Sequence, residues 1–486
     1  METLAMAPKP LDFLNRIPTV SELLEKQPVR ALTDRWNRST VAAGVRSFLD
    51  ELRTDLRRRA ADVPSIRELA ERAAKYVVDL QQSTPQTVIN ATGRIIGAPW
   101  LGVPLAERAL ERLVVAGRDF PIAASATATA AAAPASEMTA LICRLTGAQA
   151  AVAMHSYSGA LWLTLAALAS EREVIVSRAE VGEVDMAGPL PKLAAAARCV
   201  LRDVGTANRT VAADYEAAAS PRTSVLLKLC SDEYRIVGET AAAELEELVA
   251  LARDRELILI SALGAAPITD PPVAIDWPRR TAKTTISTGA DLVLLRGDGL
   301  VGGPSCGILA GQQDLIQRVT ANPLFAAAQL DSLRCAALLG TLECYEGSST
   351  GSQSLGLPPV WQVLATPIEN LRNRAERIAP QLAQAPEIAV ATAVETRSPI
   401  ASAMTDGDGW PSYAVALAAA NGNSQSLQQR LSHADQPVFG RIENDRVLLD
   451  LRTVMPRQDT ALVQALCGGT ASNKDTPPGD NSATPA

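Results

Sequence analysis

The sequence predicts an α/β protein with a helical N-terminal module and a small α+β domain at its C-terminal end. Three observations carry this. Residues 1–84 place apolar side chains at helical spacing, residues 85–355 alternate short apolar runs with Ala/Leu-rich helical stretches, and residues 356–467 return to short strands. The last segment, 468–486, is polar and rich in Gly and Pro, and reads as a disordered tail.

In the N-terminal module, Pro18-Thr19-Val20-Ser21 before Glu22-Leu23-Leu24 has the form of a helix start. A later helix carries Val45, Phe48, Leu49, Leu52 and Leu56 on one stripe, with Arg53, Arg57, Arg58 and Arg59 on its other faces. That arginine run reads either as a solvated face or as a phosphate-contacting patch.

In the large domain, strands are expected at 150–154, 173–176, 199–203, 224–229, 257–261, 292–295 and 306–310. Helices are expected at 136–146, 159–169, 241–253 and 327–342. Such βα alternation argues for a largely parallel sheet. The small domain should open with a helix from 367 to 379, ended or kinked by Pro380. Strands follow at 388–391, 413–417, 438–442 and 447–450, with a helix at 424–431 and a final turn at Asn444-Asp445.

Composition narrows the function. A chain of 486 residues, 47% hydrophobic, can bury a large core in two or three domains. A net charge of −7 excludes a molecule that binds nucleic acid by overall charge, but leaves room for a local basic patch. Seven scattered cysteines without a CxxC predict a reduced, cytoplasmic protein with no metal site. The first residues do not form a signal peptide, and no apolar run has membrane-spanning length. Only seven of the 46 lysines and arginines are lysine: 9, 26, 75, 192, 228, 283 and 474.

The stretch from Ala290 to Ala310 joins two apolar strands by Gly297-Asp298-Gly299-Leu300-Val301-Gly302-Gly303-Pro304. This loop resembles that of the bacterial selenocysteine synthases (L-seryl-tRNA(Sec) selenium transferases), Gly-Asp-Lys-Leu-Leu-Gly-Gly-Pro, whose lysine holds pyridoxal phosphate (PLP) as a Schiff base. Further resemblances lie in Val88-Ile89-Asn90-Ala91-Thr92-Gly93, Leu145-Thr146-Gly147-Ala148 and Val176-Ser177-Arg178-Ala179-Glu180. Others are Val204-Gly205-Thr206-Ala207-Asn208-Arg209-Thr210, Tyr234-Arg235-Ile236 and the hairpin around Gly440-Arg441-Ile442 and Leu449-Asp450-Leu451-Arg452. The resemblance covers roughly residues 11–466. It implies an aspartate-aminotransferase-like large domain (PLP fold type I), PLP as cofactor, tRNA(Sec) as partner, an N-terminal module that grips the tRNA, and closed oligomers.

The same resemblance shows what has changed. Gly299 stands at the lysine position. Ala262, in Ser261-Ala262-Leu263-Gly264, stands where the family's Asp meets the pyridine nitrogen. The phosphate-binding loop aligns with His155-Ser156-Tyr157-Ser158-Gly159, so Ser156, Ser158, Gly159 and Asp298 are the candidate remnants of a cofactor pocket. His155 reads as a structural residue or as a ring-stacking or acid–base group. A polar Gly-x-Arg-Gly-Ser-Arg segment is replaced by the alanine-rich residues 123–134, and a His-Thr-Asn-Leu-Gly-Arg segment by Gly97-Ala98-Pro99-Trp100-Leu101-Gly102.

Two function classes stay open. One is a non-catalytic paralogue that acts as a scaffold, regulator or tRNA-binding partner, as a homo-oligomer or mixed with an active copy. Arg53, Arg57, Arg58 and Arg59 would be its RNA contacts. The other is an enzyme, either the selenium transferase itself or one with new chemistry in the old pocket, drawing on Arg178, Glu180, Glu183, Asp298, His155, Cys230 and Cys306. Cys230 is expected to be a buried structural residue rather than a nucleophile.

Overall fold

The computed structural model describes residues 17–59, 64–81, 87–97, 102–118, 134–232, 234–273, 280–349, 356–401, 409–434 and 436–467. The side chains of Arg57, Arg58 and Arg59, the segment 123–133, Pro99-Trp100-Leu101 and the tail lie outside the described residues. The chain forms two compact units, residues 1–87 and 88–486.

The first unit is helical. Thr19 starts helix Val20–Leu24 by a capping box: the Glu22 N–H donates to Thr19 Oγ1 at 3.3 Å, and the Thr19 N–H donates to Glu22 Oε2 at 2.7 Å. Two longer helices follow, Arg38–Arg59 and Ile66–Gln81. Val41, Val45, Leu49, Leu69, Ala73 and Val77 are fully buried in their shared core. Gly44 permits the close approach of the two helices, since a Cβ there would lie 2.9 Å from Val77. Arg53 pairs with Asp50 at 2.7 Å on the exposed side, an arrangement that adds little stability.

The second unit holds thirteen strands in three sheets among the described residues. They are β1 (Ile89–Asn90), β2 (Ala150–Met154), β3 (Glu173–Ser177), β4 (Val200–Val204), β5 (Thr223–Leu229), β6 (Ile258–Gly264) and β7 (Leu292–Arg296). After these come β8 (Gly307–Gly311), β9 (Ile388–Ser398), β10 (Trp410–Ala419), β11 (Val438–Phe439), β12 (Arg441–Glu443) and β13 (Arg446–Asp450). The main sheet has the order β2-β8-β7-β6-β5-β3-β4. Its pairings are parallel from β4 through β7, and β8 runs antiparallel to both β7 and β2. Helices cover both faces, which is why β3 and β6 read as near-continuous apolar runs.

Ile388–Ser398, Trp410–Ala419 and the final hairpin form a four-stranded antiparallel sheet. Asn444 and Asp445 both adopt positive φ, 48° and 57°, as a two-residue hairpin turn requires. The single strand expected at 438–442 is two strands. At Gly440 the chain passes from β11, which pairs with β1, to β12, which pairs with β13. A side chain at Gly440 would lie 2.7 Å from the Leu448 carbonyl. Pro380 also departs from expectation: helix Ile368–Leu382 runs through it and ends three residues after 379. Proline there forfeits one late-turn hydrogen bond, while Leu371, Ala375, Ile378 and Leu382 keep the helix on the sheet core.

The β1 segment and the terminal hairpin meet at Asp450, which is fully buried. Its carboxylate accepts from Ser398 and Ser412 hydroxyls at 2.8 and 2.6 Å and from Arg441 at 2.7 Å. The Asp450 N–H donates to the Ala91 carbonyl, and the Gly93 N–H to Thr453 Oγ1. Gly93 lies against this carboxylate with φ +79°, so no side chain fits. Two of the sequence motifs singled out above are therefore one structural joint. Among the described residues no helix is long and apolar enough to cross a membrane.

Candidate functional site

Parallel strands with helices on both faces open a crevice at their C-terminal edge, where ligands of such folds sit. The candidate residues come from loops and strand ends on that edge: Ser156–Gly159 after β2, Ala262 near the end of β6, and Asp298–Gly299 after β7.

The loop after β7 is tied down on all sides. The Gly297 N–H donates to the Cys306 carbonyl at 2.9 Å, the Gly303 N–H to Gly297 at 2.8 Å, and the Leu300 N–H to Ala265 at 2.9 Å. The Tyr345 hydroxyl bonds the Leu300 and Val301 carbonyls at 3.0 and 2.8 Å, and itself accepts from the Trp361 indole N–H at 2.8 Å. Gly299 is pressed onto the turn after β6. A Cβ built on it would lie 2.5 Å from Ala265 Cα and 2.6 Å from Ala265 Cβ. This contact involves backbone, so it cannot be relieved by rotating a side chain. Ala262 is fully buried in an apolar cluster with Met154, Tyr157, Val176 and Leu229.

Ser156, Ser158 and Gly159, named above as candidate remnants of a cofactor pocket, lie at the start of one helix. Ser156 caps helix Tyr157–Leu168: its Oγ accepts from the Gly159 N–H at 3.0 Å. Ser158 is buried. Tyr157 is buried in the same cluster as Ala262, and among the described residues its hydroxyl makes no hydrogen bond of normal length and geometry. Burial, then the charge of Asp232, push its phenol well above the ordinary range. Arg296 grips Asp298 through Nε at 3.1 Å and a second nitrogen at 3.3 Å, and Asp185 lies 3.5 Å away. Burial opposes the arginine's charge, but Asp298, Asp185 and Asp232 outweigh it and raise its pKa. His155 is exposed and faces outward, with Nδ1 3.1 Å from Arg334.

A PLP enzyme needs an amine for the aldimine and a carboxylate for the pyridine nitrogen. Gly299 offers neither amine nor space, and Ala262 offers no carboxylate, so these residues do not fit the group. Two other lysines are engaged elsewhere. Lys228 donates to Glu180 at 3.3 Å and to the Ala243 carbonyl at 2.9 Å, and Lys283 pairs with Asp270 at 2.7 Å. Burial raises the pKa of Glu180, against the pull of Lys228 and the Leu229 N–H.

Cys230 corrects an expectation. It is exposed rather than buried, because it stands one residue beyond β5, where the strand end opens onto a cavity. Cys306 is buried, and burial pushes its thiol pKa far up. Arg178 pairs with Asp203 at 2.6 Å on the surface. The sequence reading missed Tyr157, Asp185, Asp232 and Arg296. The available signal was positional: Arg296 closes a strand, Asp232 follows one, and both therefore fall on the ligand-binding edge.

A family model for L-seryl-tRNA selenium transferase matches residues 88–455. The L-seryl-tRNA(Sec) selenium transferase of Geobacter sulfurreducens is 31% identical, over 94% of this chain and 99% of its own length. That of Hyphomonas neptunium is 32% identical, over 93% of this chain and 98% of its own length. Among solved structures, D-glucosaminate-6-phosphate ammonia-lyase superposes on 80% of this chain and 96% of its own, with a TM-score of 0.59 and 18% identity. That likeness shows the fold, and the α/β, aspartate-aminotransferase-like class expected for the large domain is the one found. With the model match spanning most of the second unit and the relatives aligned almost end to end, the chain belongs to the L-seryl-tRNA selenium transferase family.

Proposed function

We propose that this chain is a selenocysteine-synthase paralogue that has given up PLP-dependent catalysis and acts as a tRNA(Sec)-binding scaffold or regulator. It works in the cytoplasm as a homo-oligomer or in mixed oligomers with an active, lysine-bearing copy. The observation that carries the reading is the closed position at Gly299, 2.5 Å from the Ala265 backbone for the first atom of any side chain. A chain that had merely exchanged its lysine would leave a vacancy there. Here the turn after β6 is in contact, and Arg296 and Asp298 beside it serve one another. The relatives' names supply the RNA, and Arg53, Arg57, Arg58 and Arg59 of the first unit are the residues assigned to it.

The test is incubation of the purified chain with PLP, borohydride reduction and peptide mass analysis. The proposal expects no aldimine absorbance and no fixed adduct. A stoichiometric pyridoxyl adduct on Lys228 or Lys283 would overturn it and place a new catalytic amine in the molecule.

A further inference from the structure

On the face of β6 opposite Ala262 lies a cavity of about 330 Å³. Strand alternation sends Ser261 and Leu263 into it, while Ala262 points to the cluster with Tyr157. The cavity thus lies on the other side of β6 from Ala262, and it borders the closed position through Ala265 and Leu300. Its walls are mainly apolar, formed by Ile96, Leu245, Leu263, Leu300 and Ile400.

The polar part of the lining is small and specific. Ser261 is 1% exposed, and among the described residues its hydroxyl has no hydrogen-bond partner. A buried hydroxyl left unpaired is unfavourable, so one facing a cavity points to a missing acceptor. Lys228 stands beside it in register on β5. Its bonds to Glu180 and Ala243 use two of the three ammonium hydrogens and leave one over. Both cations of the lining are already neutralised: Lys228 by Glu180, and Arg280 by Glu246 at 2.8 Å. Asp232 adds a carboxylate to the wall. A bound anion would meet no uncompensated positive charge, whereas a neutral acceptor would meet two donors.

We propose that this cavity binds an uncharged, mainly apolar small molecule with one carbonyl oxygen, which accepts from the Ser261 hydroxyl and the Lys228 ammonium. An apolar cavity of about 150 Å³ holds benzene, so this one takes a molecule of roughly twice that size. Cys230 lies on the wall and is exposed, so its thiol reports occupancy.

The probes are 1-indanone, indane and indane-1-carboxylate, titrated into the full chain and followed by calorimetry. In parallel, alkylation of Cys230 by iodoacetamide is read by peptide mass analysis, with exposed Cys467 as internal control. The expected result is one-to-one binding of 1-indanone that slows alkylation of Cys230 at least threefold and leaves Cys467 unchanged. Ser261→Ala should weaken 1-indanone about tenfold, the effect of one hydrogen bond of ~1.4 kcal/mol. Indane and the carboxylate should bind more weakly than the ketone. The proposal is overturned if 1-indanone does not bind, if binding leaves Cys230 unprotected, or if indane or the carboxylate binds as tightly. If Ser261→Ala does not fold, the probe ranking and Cys230 protection in the parent chain decide alone. Neither Gly299 nor Ala262 enters this test, so its failure leaves the loss of PLP chemistry untouched.

Discussion

At the scale of single residues, Gly299 matters for packing as well as for chemistry. A glycine there offers no amine. The approach of Ala265 then makes the position one that only glycine fills, with the Leu300 N–H bonded to the Ala265 carbonyl at 2.9 Å. A direct consequence is that Gly299→Ala, ordinarily a mild substitution, should destabilise the chain by about 1–3 kcal/mol through overpacking. Urea unfolding measures this. An unchanged midpoint would mean that the turn after β6 gives way easily and that the closure is shallow. The same local view explains why some of the site was legible and some was not. Gly299 and Ala262 were singled out because the resembling motifs carry a lysine and an aspartate there, and the structure places both at the C-terminal edge of the main sheet. Tyr157, Asp185 and Arg296 were not, because their proximity depends on strands and turns far apart in sequence. The exposure of Cys230 was missed for a related reason: one residue past a strand end decides between core and crevice.

At the scale of elements, the retained motifs belong to joints rather than to chemistry. The segment around Gly93 and the final hairpin meet through Asp450, whose carboxylate serves Ser398, Ser412 and Arg441. Asp450→Ala would leave the Arg441 guanidinium buried without its principal partner. The expected loss is about 3–5 kcal/mol of stability, with Asp450→Asn milder because it keeps the shape and one acceptor. Thermal unfolding of the two variants checks this, and equal midpoints for alanine and parent would remove the joint from the account. The starts of the seven main-sheet strands were legible to within a residue, since apolar runs of buried strands stand out against Ala/Leu-rich helices, but β6 runs three residues further than expected and β9, expected at 388–391, runs to Ser398. The split at Gly440 and the passage of the helix through Pro380 were not legible. In both, tertiary packing decides: β1 draws β11 away from the hairpin, and the apolar stripe of Ile368–Leu382 outweighs one lost hydrogen bond.

At the scale of the whole molecule, the proposed function separates framework from reaction centre. The chain has the seven-stranded main sheet, the final hairpin and a near end-to-end likeness to L-seryl-tRNA(Sec) selenium transferases. At the C-terminal edge of its main sheet it has Gly299, Ala262, a buried Tyr157 and an Arg296–Asp298 ion pair. Under the proposed function, selection on folding and assembly without selection on the reaction would leave this pattern, because neither an aldimine lysine nor a carboxylate partner is needed to bury the core. The central claim is that the fold persists without the chemistry. Its most direct test is conversion of the seryl group on seryl-tRNA(Sec), with PLP and a selenium donor supplied and the Geobacter sulfurreducens relative assayed alongside. The account predicts turnover by the relative and none by this chain. Conversion by this chain above the protein-free background would contradict it.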